Sequence, residues 1–78
     1  MKFRKNFGTA NIVGKKIENL RKQQNISQKN IIAQMQLNGV DINPTSYSKL
    51  EGQTRIATDK EIFIIAKILK VDINDLFN

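Results

Sequence analysis

Five helix-start signals punctuate this chain, and the stretches between them have room only for short helices. They are Asn11, Ser27, Asn43-Pro44, Thr58-Asp59-Lys60-Glu61 and Asp72. Asn, Ser, Thr and Asp at these points can accept hydrogen bonds from the free N–H groups of a first helical turn. Pro44 fits the first helical position, where a missing N–H costs nothing. Thr58 and Glu61 have the spacing of a capping box, in which each side chain bonds the other's backbone. The apolar residues agree with this punctuation. Val13, Ile17 and Leu20 recur at the helical period, as do Ile31, Ile32, Met35 and Leu37, and then Ile62, Ile65, Ala66 and Leu69. The pattern predicts helices over about 12–24, 27–37, 44–51 and from 58 onward. A last short helix over 73–77 is expected to close the core with Val71, Ile73, Leu76 and Phe77. Asn25, Asn38-Gly39 and Gly52 read as stops. Val40 and Ile42 are expected to pin the linker between the second and third helices. The expected fold is all-α, a compact bundle of about five short helices.

A chain of 78 residues fits one domain. A domain of this size buries only about 60% of the surface its unfolded chain exposes, which leaves no room for a deep, lidded catalytic cleft. There is no Cys and no His. That excludes thiolate chemistry, disulfides, Cys/His zinc sites and histidine acid–base catalysis. The carboxylates Asp59, Glu61, Asp72 and Asp75 stand where helix starts favour negative charge, so capping accounts for them. The expectation is a non-enzyme with no cofactor, no metal and no small-molecule ligand. No apolar run approaches the roughly 20 residues that span a bilayer. Residues 1–14 carry no continuous apolar segment of a secretory signal. A cytoplasmic protein with no membrane partner is expected.

Charge supplies the first functional clue. Thirteen Lys and Arg face seven Asp and Glu, a net charge of +6. Residues 1–39 hold eight of the basic residues and only Glu18, a net +7, whereas residues 40–78 carry a net −1. A basic half of this kind is an electrostatic footprint for a polyanion, and equally a solvated surface that keeps a small protein in solution. Residues 1–10 read as a flexible basic arm, with Phe3 and Phe7 interleaved and Gly8 breaking it. Such arms lie along phosphates or in a minor groove, or simply fray. Residues 11–78 form the domain proper.

The third helix is unusual in composition. Only Tyr47 and Leu50 are large and apolar, and the rest is Thr45, Ser46, Ser48 and Lys49. Two anchors would hold it, and its other side would meet solvent or a partner. The DNA major groove admits one helix, and its base edges present distinct donor and acceptor patterns. Short polar side chains and an occasional Lys suit that surface.

From Ile17 to Phe77 the chain resembles the phage-repressor and Cro type of helix-turn-helix domain, the XRE family. The resemblance rests on Ile17…Leu20-Arg21, Ser27-Gln28, Ile31-Ile32-Ala33, Ser46-Tyr47-Ser48…Leu50-Glu51-Gly52, and Ile65-Ala66…Leu69…Val71…Leu76. It implies a lambda-repressor-like fold and sequence-specific binding of double-stranded DNA by a bacterial or phage transcription regulator. The third helix would enter the major groove. The positions matching the family's base readers are Pro44, Thr45, Ser48 and Lys49. Gln28 and Lys29, with Gln53, Thr54 and Arg55 after Gly52, match positions that meet the DNA backbone. Glu51 is expected to be structural, paired with a basic residue such as Arg21. Ser27 to Glu51 is longer than the commonest family spacing. A longer second helix and turn around 36–42 would absorb the excess.

Phe63, Ile64 and Ile68 lie off the main stripe of the fourth helix. They fit a homodimer contact, since repressors of this type pair on two half-sites. They fit equally well a surface covered by the last helix or by the arm through Phe3 or Phe7. An antitoxin-like protein-interaction module, with non-specific nucleic-acid binding, is the alternative use of the same fold.

Overall fold

The computed structural model describes residues 10–77, so the expected arm lies almost wholly outside them. Among the described residues the fold is all-helical and has no strand. Four α-helices are present: α1 Gly14–Gln23, α2 Gln28–Leu37, α3 Pro44–Glu51 and α4 Asp59–Leu69. The expected fifth helix is a single 3-10 turn, Ile73–Leu76. Helix α2 packs against α3 and α4, and α1 packs against the same two.

The caps behave as local chemistry demands. Ser27 Oγ accepts from Asn30 N, and Asn43 Oδ1 accepts from Ser46 N. Thr58 and Glu61 close a reciprocal box, and so do Asp72 and Asp75. Helix α1 begins two residues later than expected. Asn11 Oδ1 still accepts from Val13 N and Gly14 N, at 3.1 and 2.8 Å, while Ile12 stays exposed outside the helix. The same Asn11 amide donates to Leu50 O and Arg55 O, which ties the start of α1 to the end of α3. At Gly14 the two helices meet main chain to main chain. A Cβ there would sit 2.3 Å from Leu50 O and 2.7 Å from Glu51 O.

The core holds Val13, Ile17, Ile31, Ile32, Met35, Ile42, Tyr47, Leu50, Ile65, Ala66, Leu69 and Leu76. Three residues expected to help close it do not. Leu37 is 86% exposed, and Ile73 and Phe77 are also exposed, because helical period defines a face but not what covers it. A linker over 38–43 joins α2 to α3. There Gly39 has φ +86°, Gln36 Nε2 donates to Ile42 O, and Ile42 is buried. After α3 the left-handed residue is Gln53 at φ +63°, while Gly52 keeps a right-handed backbone at −77°.

Candidate nucleic-acid interface

Helix α3 has two unlike faces. Tyr47, Leu50 and Glu51 are buried, while Pro44, Thr45, Ser48 and Lys49 are exposed. Residues i, i+1, i+4 and i+5 fall within less than half of a helix circumference, so these four side chains share one face. Tyr47 and Leu50, both fully buried, each contribute about 1.5–3 kcal/mol of apolar burial. A helix with so little apolar surface therefore stays fixed while its polar face remains free.

Under that face lies a buried polar cluster. Arg21 donates to Glu51 through Nε at 2.7 Å and through Nη2 at 3.1 Å. Tyr47 Oη donates to Glu51 Oε2 at 2.5 Å, and Gln28 Nε2 donates to Glu51 Oε1 at 3.1 Å. Arg21 Nη1 also donates to Ile26 O. The hydrogen bond to Glu51 holds the Arg21 pKa above its ordinary value. Burial, reinforced by the hydrogen bond to Glu51, pushes the Tyr47 phenol well above the usual tyrosine range. No buried side-chain polar atom among the described residues lacks a partner.

The residues expected at the DNA backbone divide into three groups. Lys29 is exposed on the first turn of α2 beside half-buried Gln28. Gln28 faces α3, where its Oε1 accepts from Ser48 Oγ at 3.0 Å. Thr54 is exposed after α3, its hydroxyl loosely held at 3.3 Å from Lys49 O. Gln53 is a correction: its side chain is buried and donates inward to Asn11 O, so it is withdrawn from the surface. Arg55 is half-buried, and its Nη1 donates to Glu61 Oε1 at 3.0 Å, tying the loop to the start of α4. An open groove of about 600 Å³ runs between α2 and the start of α3, lined by Gln28, Lys29, Ile32, Ala33, Gln36 and Pro44.

The basic character of the first half is also redistributed. Arg21 is buried against Glu51 and adds nothing to the basic surface. Lys15 and Lys22 share Glu18, whose carboxyl is held below its ordinary pKa chiefly by the hydrogen bond from Lys22. Lys2, Arg4 and Lys5 lie outside the described residues. Of the residues offered for a dimer contact, Phe63 is 61% exposed, whereas Ile64 and Ile68 are half-buried against the core.

No group of acidic residues among those described is arranged to hold a metal. No helix among them is long and apolar enough to cross a membrane. No family model, curated protein or solved structure matches the chain.

Proposed function

We propose that this chain is a sequence-specific DNA-binding domain of the helix-turn-helix, repressor type, acting on operator DNA in the cytoplasm. In this reading α2, the linker and α3 form the helix-turn-helix, and α3 enters the major groove. The carrying observation is the exposed row Pro44, Thr45, Ser48 and Lys49 on a helix whose other face is locked by Tyr47, Leu50 and Glu51. Lys49 would donate to guanine O6 or N7, and Thr45 would contact a thymine methyl or a phosphate. Lys29, Gln28 and Thr54 would meet the backbone, which positions a protein without reading sequence. The first turn of α2 offers unpaired N–H groups to the same phosphates.

Selection from a randomised duplex pool at near-physiological salt tests this reading. An enriched motif is the expected result. A helical, folded protein that enriches no motif would remove it.

A second reading has its own support. Ile12 and Phe77 are exposed beside an open groove of about 280 Å³, of mixed polar and apolar lining, that also involves Asn11, Ala57 and Ile62. Such a surface suits a protein partner, as in an antitoxin-like module. That reading predicts non-specific DNA binding only.

A further inference from the structure

The hydrogen bonds under α3 fix more than the position of Ser48. They fix the direction in which its hydroxyl points. Four donors converge on the Glu51 carboxylate, two from Arg21, one from Tyr47 and one from Gln28. An ionised carboxylate only accepts, so the Gln28 amide must turn its nitrogen toward Glu51. Reversing the amide would set its oxygen against a carboxylate oxygen. The amide oxygen is thereby left facing Ser48, at 3.0 Å from Oγ. A serine hydroxyl has one proton and two lone pairs. With the proton given to Gln28, only lone pairs remain for a ligand.

We infer that Ser48 is an acceptor-only specificity determinant, selecting a base edge that presents an amine in the major groove, adenine N6 or cytosine N4. The inference rests on the DNA-binding reading above and names the chemistry of one of its contacts. The major-groove edge of guanine and the O4 of thymine offer acceptors, which an acceptor-only oxygen cannot pair. The polarity originates in a buried ion pair: Arg21 and Tyr47 donate to the Glu51 carboxylate, Glu51 orients Gln28, and Gln28 takes the Ser48 proton. Gln28 therefore acts as a positioning residue, in addition to any phosphate contact of its own.

The test begins with the motif recovered by the wild-type protein. Ser48→Ala identifies the base position it affects, since only that preference should fade. At that position the exocyclic amine is removed from the duplex by an analogue, purine for adenine or 2-pyrimidinone for cytosine. The expected result is a loss of about five- to tenfold in affinity for the wild type and little change for Ser48→Ala, the size of one hydrogen bond. In Gln28→Ala the hydroxyl is free to rotate. Its preference for the amine-bearing base over a base offering acceptors should fall toward unity, whatever happens to overall affinity. If the wild type instead loses affinity when purine N7 is replaced by carbon, and Ser48→Ala does not, the hydroxyl donates and the inference is overturned. A motif with no position sensitive to Ser48→Ala overturns it while leaving DNA recognition standing. Failure to enrich any motif removes both.

Discussion

Arg21 and Glu51 form a two-pronged ion pair, 2.7 and 3.1 Å long, that joins α1 to the end of α3 inside the core. Removing one member strands the other as a buried charge. Glu51→Ala should therefore cost about 3–5 kcal/mol, most of what a domain this small has to spare. Urea denaturation followed by circular dichroism would show it. Arg21→Met combined with Glu51→Leu should cost clearly less than the sum of the single changes. Additive losses would mean that the pair is not acting as a unit.

Gly14 should tolerate no side chain. The Cβ of Gly14→Ala would fall 2.3 Å from Leu50 O, a backbone atom in a helix and unable to give way. Overpacking of this kind costs about 1–3 kcal/mol, and a 60–100-residue domain loses roughly 4–8 °C of Tm for each kcal/mol. A thermal melt unchanged from wild type would show that α1 can shift off α3.

Tyr47 makes the fold sensitive to alkali. Its pKa is raised by burial and by donation to Glu51, so the folded protein keeps a phenolic proton that the unfolded chain loses above about pH 10. The folded state then binds more protons than the unfolded state, and stability falls as pH rises. The contribution is intact below pH 10 and should decline by up to about 1.4 kcal/mol per pH unit above it. Tyr47→Phe serves as reference, since it differs from the wild type only in the phenol. Because the chain has one Tyr and no Trp, phenolate absorbance near 295 nm reports this group alone. It should appear with unfolding and not before.

Lys49 and Lys29 should fail in different ways. Lys49→Ala should cost about 1–3 kcal/mol at the preferred site and relax one position of the motif. Lys29→Ala should weaken all duplexes alike and reduce the slope of affinity against salt by about one phosphate. Equal losses on every sequence from both variants would mean that Lys49 touches phosphate only. Arg55→Ala should appear chiefly in the melting temperature, because the Arg55 guanidinium is engaged by Glu61.

Phe63 is the dimer candidate that remains accessible. Sedimentation should show concentration-dependent pairing that Phe63→Lys abolishes without lowering Tm. A wild type that stays monomeric throughout would remove the homodimer.

What could be read in the chain follows the range of each interaction. Ser27, Asn43 and Thr58 cap through bonds to residues three positions away, and such contacts are visible in any window of sequence. The outward row on α3 was equally legible, because it depends only on helical period and on two apolar anchors. Gln53 was not, since its burial depends on Asn11, 42 residues earlier. Gly52 read as the stop of α3 and does follow its last residue, yet the left-handed backbone falls at Gln53, whose side chain is held inward. Arg55 looked like a loop cation until packing brought Glu61 beside it. Leu37 and Phe77 carried the right period and remained exposed, because nothing in a stripe tells which neighbour will reach it. The link from Gln28 to Ser48 exists only once α2 and α3 have packed.

The contact at Gly14 separates two kinds of change this chain can absorb. Where helices meet through interlocking side chains, each substitution in the core alters the angle at which they cross. Here the first turn of α1 rests on the carbonyls of α3, so main-chain geometry sets how far the exposed row is held out. Interior residues elsewhere can drift in size without re-aiming that row, and residues on the row can vary without loosening the interior. A lineage built on this joint could tune its thermal tolerance through the apolar core without altering its ligand preference, so long as Arg21, Glu51 and Gln28 stay in place.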